Sequence, residues 1–346
     1  MKKTKEKVLQ APTRFIILLT TGLIALVIMI GLSLYFGAET SVTLKDVING
    51  LFHFNENTEN FNEIIVRNIR LPRLLADIMV GACLAIAGAV MQGTTKNPMA
   101  DSGIMGISSG SVFGVVIIMT FLPNIDRLGR IGISCLGAAI VTFLIYAVAM
   151  MSKRGMTPDR MVLSGMAIST LFSSVTTALV LKEGTSAEMI KYMAGSSANT
   201  IWLDIQIAGP FFIMGTILAI VISRNLTILS LGEEASKGLG ANTKLIKLCS
   251  TIVVLVLSAI AVVIIGPVSY IGLMIPHIVR YIVGSDYRFV IPGCAILGAL
   301  FVTIVDFIAR MVMPGIEFPI GLVITVIGVP FFIFVSRRQD SKEFSR

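Results

Sequence analysis

The chain has 346 residues, of which 55% are hydrophobic and 14% charged, and its net charge is +8. Soluble domains carry roughly 25% charged residues, whereas here apolar runs of about 20 residues, each long enough to cross about 30 Å of hydrocarbon, recur along the chain. That excludes a soluble enzyme, and because the basic residues sit in short loops between apolar runs, membrane topology accounts for the positive charge better than nucleic-acid binding does.

In chain order, Lys2, Lys3, Lys5 and Lys7 precede an uncharged run from Phe15 to Ala38. The run is too long for a signal-peptide core and lacks a clear small-x-small cleavage site, so it reads as a retained first helix over 14–36 with a cytoplasmic N-terminus. Residues 39–64 read as a polar outside segment. A second helix over 65–92 is entered through Arg67, Arg70 and Arg73. Its Gly81, Ala85, Ala89 and Gly93 recur every four residues, as do Gly106, Gly110 and Gly114 in a third helix over 100–121. Small residues on one face allow close helix approach in lipid; a substrate path along the same faces is the alternative. Helices over 131–151, 160–181, 203–223 and 244–265 follow. Gly266-Pro267 then interrupts an apolar stretch, since proline cannot continue the hydrogen-bond ladder. Helices over 268–283, 288–311 and 318–336 complete ten crossings. The fold class is all-α polytopic membrane protein, both termini cytoplasmic, and Lys and Arg are in roughly two-to-one excess on the inside.

Catalytic equipment is missing from the sequence. There is no GxxxxGK[ST] to cradle nucleotide phosphates and no HExxH, and the only histidines are His53 and His277. His277 after Pro276 reads as a hydrogen-bonded structural residue or a proton relay. Cys83, Cys135, Cys249 and Cys294 lie in apolar runs without ligand-like spacing, so neither disulfide nor metal is indicated.

Three features depart from a plain bundle. The stretch Arg224–Lys247 is too long for a tight turn and too apolar at Leu226, Ile228, Leu229, Leu231 and Leu239 for a merely solvated loop. Leu229 and Gly232 can end one short helix while Glu233 and Glu234 begin another, where acidic side chains suit the positive end of the dipole. Such a pair fits a groove on a soluble partner or lies amphipathically at the membrane surface. Arg73 with Asp77, and Asp306 with Arg310, are four apart and can pair on one helix face; they read as snorkelling interfacial pairs or as an outward basic patch for an acidic partner. Asn97-Pro98 marks a turn.

Taken together, these segments resemble the permease family of ATP-driven importers for ferric siderophores, haem and cobalamin. The matching residues are Arg70-Leu71-Pro72-Arg73, Gly81 to Gln92, and Asn97-Pro98-Met99-Ala100-Asp101 with Gly103, Gly106, Ser108 and Gly110. An LxLGEEAxxxLG pattern appears as Leu229, Leu231, Gly232, Glu233, Glu234, Ala235, Leu239 and Gly240. Gly266-Pro267, Gly272-Leu273 and Pro276-His277 match GPxxFIGLxxPH, with Tyr270 where phenylalanine is usual. The resemblance implies an inverted-repeat type II importer permease in a single transmembrane domain, residues 1–346, containing a coupling segment, residues 224–242, that docks on a cytoplasmic ATPase subunit. It implies that Arg70, Arg73 and Arg310 face an extracytoplasmic solute-binding protein, and that Asn97, Met99 and Thr157 help close a cytoplasmic gate. It implies a helix break at Gly266, Pro267, Pro276 and His277 near the coupling segment. A second permease subunit, identical or related, completes the pore in a bacterial cytoplasmic membrane. The chain itself binds no cofactor; ATP and Mg act on the partner. Ferric siderophore is the expected cargo, with haem next and cobalamin third. An ion-coupled transporter would want ionisable residues at mid-membrane, and the charges here sit at helix ends and loops.

Overall fold

The computed structural model describes residues 2–37, 39, 41–53, 59–101, 106–151, 158–312 and 318–343. Helix α1 (Lys2–Tyr35) is followed by short α2 (Leu44–Phe52) and α3 (Phe61–Ile65). After a π turn over Val66–Arg70 come α4 (Leu71–Thr95), α5 (Ile107–Phe121), α6 (Arg127–Met150), α7 (Pro158–Glu183) and short α8 (Ser186–Ala194). Then come α9 (Trp202–Ser230), short α10 (Glu233–Gly238), α11 (Thr243–Ile265), α12 (Ile271–Val283), α13 (Tyr287–Val312) and α14 (Ile320–Glu343). Among the described residues there are seven helices long and apolar enough to cross a membrane, and three shorter apolar ones stand beside them, in the places of the ten expected spans.

The bundle is organised around α4. Its residues from Met79 to Gly93 are buried without interruption, and α13, α11, α9 and α12 pack around it. The glycine ladders are packing devices here. A methyl group at Gly81 would lie 2.6 Å from the carbonyl carbon of Gly298 and 3.0 Å from Cα of Ala299, so the α4 and α13 backbones are in direct contact. Gly88 meets Gly272 of α12 in the same way, and Gly110 of α5 meets Gly137 and Ala138 of α6. In hydrocarbon, where apolar burial gives no net drive between helices, such contact supplies the dispersion energy of association. The outward faces keep large apolar side chains exposed, among them Ile24, Val27, Phe143, Leu181 and Val221, as lipid contact requires.

Several boundaries differ from the sequence expectation. The polar segment 39–64 contains α2 and α3. Thr43 and Asp46 form a capping box at the start of α2, a local pattern that composition alone hides. The widened turn before α4 has a covalent reason: Pro72 has no N–H to give its helix neighbour, and the ladder adjusts ahead of it. The segment between helices six and seven is not a pair of short helices. Helix α9 runs unbroken to Ser230, so the first part of 224–242 is its last two turns. Gly232, at φ 132°, makes the turn that starts α10.

Candidate functional site

Helix α12 has 13 residues, about 20 Å of rise, and cannot cross about 30 Å of hydrocarbon alone. The non-helical stretch before it, 266–270, is therefore at membrane depth, where unpaired backbone persists only if buried in protein or lining a cavity. Both conditions hold. Gly266 takes φ 85°, and the Ile265 carbonyl accepts from the Ser196 amide at 3.0 Å. The Tyr192 hydroxyl donates to the Val262 carbonyl at 2.8 Å. Beyond the break, Pro267 and Ser269 open onto a groove of about 750 Å³.

Helix α7 forms the groove's opposite wall with Ser169, Ser173, Thr176 and Thr177, and α5 contributes Ser108 and Ser109. Met189 and Met193 of α8 supply soft apolar contact. Thr177 donates to the Ser173 carbonyl at 2.9 Å, whereas the buried hydroxyls of Ser169 and Thr176 have no partner among the described residues. Among the described residues no charged side chain lines this groove. Its chemistry is that of a neutral wall offering many weak hydrogen bonds. Sequence reasoning named neither α7 nor α8 here, yet Ser169, Ser173 and Thr177 recur every four residues and put hydroxyls on one face.

The Glu233 end of the bundle carries the expected coupling residues. Leu229 is buried in α9, while Leu231 is 68% and Leu239 66% exposed on either side of α10. Ala235, Glu234 and Gly240 are exposed beside them. The unit is anchored rather than floppy. Lys247 of α11 donates to Glu233 at 2.9 Å, and Lys237 lies 3.6 Å from the same carboxylate. The Lys247 ammonium, with Lys237 behind it, holds the Glu233 carboxyl below the usual carboxylate range. The Ser236 hydroxyl donates to the Ile228 carbonyl at 2.9 Å. Thr227 ties the base of α9 to α13, accepting from the Tyr287 amide at 3.0 Å.

Asn97 and Met99 form an Asx turn at the same end, the Met99 amide donating to Oδ1 of Asn97 at 2.9 Å. Pro98 and Met99 surround a small void with Tyr270, His277 and Phe331. The expected gate turn and the helix break thus meet. Helix α12 is short as expected, but the break falls at Gly266-Pro267 only: the helix runs unbroken from Ile271 to Val283 through Pro276 and His277, and the His277 ring stands edge-on to Phe331 with centroids 6.0 Å apart. Thr157 lies outside the described residues.

At the opposite end the structure corrects two expectations. Arg73 does not pair with Asp77. It reaches across to α13 and binds Asp306 through Nε at 3.0 Å and Nη2 at 2.7 Å. Arg310 Nε lies 3.0 Å from the other oxygen of Asp306, and its guanidinium also bonds Ser33. Nor do the arginines form an outward patch. Arg70 is 5% exposed and donates 2.7 Å hydrogen bonds to the carbonyls of Leu34, Tyr35 and Glu39. The Arg73 and Arg310 side chains are 13% and 12% exposed. The reason is the end of α1: its last carbonyls lack intrahelical donors, and Arg70, presented by the π turn, satisfies them.

The sequence profile described as the FecCD transport family matches residues 24–338. Similar curated proteins include the iron(3+)-hydroxamate import system permease protein FhuB of Bacillus subtilis (strain 168), 38% identical over 94% of this chain and 84% of that protein. The Fe(3+)-citrate import system permease protein YfmD of the same organism is 36% identical over 91% and 94%. The cobalamin import system permease protein BtuC of Halobacterium salinarum is 37% identical over 80% and 74%. Among solved structures, an inward-facing metal-chelate type ABC transporter superposes with a TM-score of 0.80 at 27% identity, covering 92% of this chain and 98% of the other.

Proposed function

The chain belongs to the FecCD transport family, and we propose that it is the permease subunit of an importer that moves ferric siderophore across a bacterial cytoplasmic membrane, driven by ATP hydrolysed on a partner. The observation that carries this reading is the uncharged, hydroxyl-lined groove beside the α11–α12 break. A bulky chelate whose metal is already enclosed by its own ligand needs a wall of weak contacts rather than metal donors. The relatives named for iron hydroxamate and iron citrate support iron chelate as cargo. The relative named for cobalamin keeps that corrinoid as the second reading.

In this reading the Glu233 end is cytoplasmic and both termini lie on that side. Leu231, Glu233, Glu234 and Leu239 dock on the ATPase, the leucines entering a groove and the carboxylates meeting basic side chains. Asn97 and Met99 narrow the cytoplasmic exit against α12. A second permease copy or related chain faces the groove and completes the pore. A solute-binding protein meets the far end; Arg70, Arg73 and Arg310 shape that end from within.

The test is uptake by a strain lacking this chain, offered labelled ferric hydroxamate, ferric catecholate, haem and cobalamin separately, and complemented with the native chain or with Glu233→Ala/Glu234→Ala. Selective loss of one ferric chelate, restored only by the native chain, is the expected result. Loss of cobalamin alone selects the second reading. Full restoration by the double variant would remove the coupling role from 231–240.

A further inference from the structure

A second cavity, of about 440 Å³, lies on the outer flank of the bundle between α6 and α11. It is distinct from the hydroxyl-lined groove and shares no residue with it. Its mouth is charged. Lys96, the exposed C-cap of α4 held at φ 55°, stands there with Lys247 and Glu233. Lys96 makes no ion pair with any described residue, whereas Lys247 is shared with the coupling segment through Glu233. Inward from the mouth the wall becomes apolar: Leu248, Phe143, Ala139 and Leu255. Leu255 lies eight positions beyond Lys247, about 12 Å along the helix.

Most polar groups along the wall are already internally satisfied. Thr94 and Thr95 donate to their own helix at 2.8 and 2.9 Å, and Tyr146 bonds Thr251 across the floor at 2.7 Å. Thr142 is the exception. It is 3% exposed, and its hydroxyl has no partner among the described residues, which leaves a donor for water or for the ester carbonyl of an occupant. Phe143 is 70% and Leu248 58% exposed, so the cavity opens sideways, where a lipid-facing surface would be.

We infer that this cavity is a binding site for an anionic phospholipid of the surrounding bilayer, its phosphate held by Lys96 and Lys247 and one acyl chain laid between α6 and α11. Basic side chains at the mouth of an apolar groove between spanning helices recognise this class of ligand. Charge complementarity selects the occupant. The mouth carries two ammonium groups against the single Glu233 carboxylate, a net positive charge that favours an anionic headgroup over a zwitterionic one. Because Lys247 also holds Glu233, the bound phosphate sits one ion pair from the coupling segment. The inference rests on the chain spanning a bilayer with this end at its surface, as proposed above, and on nothing about cargo.

The experiment uses the full chain purified in detergent, with native mass spectrometry as the readout and an equimolar mixture of phosphatidylglycerol and phosphatidylcholine as probe. The native chain is expected to retain phosphatidylglycerol preferentially. Lys96→Gln, at a side chain with no internal ion pair, is expected to lower that preference roughly fivefold. Ala139→Phe, which fills the apolar floor, is expected to abolish retention of the preferred lipid. Equal retention of the two lipids by the native chain overturns the site. So does an unchanged preference in Lys96→Gln, a result that stands even if Ala139→Phe fails to fold. A change in dimer fraction without a change in lipid retention assigns the face to a second copy instead, and also overturns the inference. No transport or ATPase activity enters the readout, so failure here is separable from failure of the importer reading.

Discussion

Replacing Asp306 by Asn tests whether the arginine cluster is internal. Its carboxylate is 1% exposed and serves two guanidinium groups, Arg73 at 2.7 Å and Arg310 at 3.0 Å, which are themselves 13% and 12% exposed. Removing one partner of a buried ion pair costs about 3–5 kcal/mol, because the remaining charge is left uncompensated in a low-dielectric site. Two arginines lose their ion-pair partner here, but each keeps some exposure, Arg310 keeps Ser33 and the buried Asp77 carboxyl stands in the same cluster, so the lower end, about 3 kcal/mol, is expected. For contrast, the Lys237–Glu233 pair, 63% and 43% exposed, belongs to the class that contributes about 0–1 kcal/mol. The assay is chemical unfolding of the purified chain in detergent, followed by fluorescence of its single tryptophan. Trp202 reports on this end: its indole N–H donates to the Arg67 carbonyl at 2.9 Å and the Arg67 guanidinium lies 4.8 Å from its ring. A cycle with Arg73→Gln should give a coupling energy above about 1 kcal/mol. A loss below about 1 kcal/mol for Asp306→Asn, with additive singles, would refute the internal assignment. It would return the arginines to the role of an exposed docking patch, whose truncation leaves the isolated chain unaffected.

Three further outcomes follow from the geometry. Gly81→Ala should destabilise by about 1–3 kcal/mol in the same unfolding assay, since its methyl has no room against Gly298, whereas Gly31→Ala, with nothing within 4 Å, should be neutral or slightly stabilising. Gly266→Ala must adopt φ 85° and crowd the Tyr192 carbonyl; uptake is expected to fall with a stability loss of about 1–3 kcal/mol, and wild-type uptake would show that the break is not needed. Burial raises the Asp46 carboxyl, but hydrogen bonds from the Thr43 amide and hydroxyl, Asn60 and Asn62 outweigh it and leave the group below its ordinary value. A depressed carboxylate contributes stability above its unfolded pKa of about 4 and loses it as pH falls through the folded value. Hydrogen exchange of the α2 amides, corrected for its intrinsic pH dependence, should therefore accelerate in acid, and Asp46→Asn should remove that pH dependence.

What was legible depended on whether the information was local. The ten apolar segments, seven of them helices of spanning length and three shorter, the Gly266-Pro267 break and the start of α10 at Glu233 are all written in short windows, and the structure has a helix or a break at each. The four-residue glycine spacing identified a packing face but not its partner, because Gly298 and Gly272 lie far along the chain. Arg73 shows the same limit. Its i+4 neighbour Asp77 was the pair that helix geometry offers, yet the ion pair forms across 233 positions with Asp306, because α13 brings that carboxylate alongside. Nothing in the segment around Arg70 announces its inward partners, the Leu34 and Tyr35 carbonyls at the end of α1 and the Glu39 carbonyl just beyond it. The α7 hydroxyl stripe was legible in principle and passed unremarked, since serine and threonine at helical spacing also serve ordinary packing in membranes.

The two ends of the candidate site are connected by one helix. At its base, α11 holds Glu233 through Lys247. Its middle is locked into the core by Val253, Leu257 and Ile260, and interiors packed at crystal density do not bend freely. At its top, Ile265 accepts from Ser196, the neighbour of Ser197, whose hydroxyl lies 3.4 Å from Asp306. Immediately beyond stand Pro267 and Ser269 on the groove wall. A shift of α10 at one surface therefore has few ways to be absorbed locally. It either breaks the Lys247–Glu233 pair, which its exposure makes weak, or carries α11 and the groove wall with it. The weakness of that pair sets the upper limit on the force the segment can pass inward through this contact, and the Ser236 and Thr227 hydrogen bonds into α9 give it a second, parallel attachment.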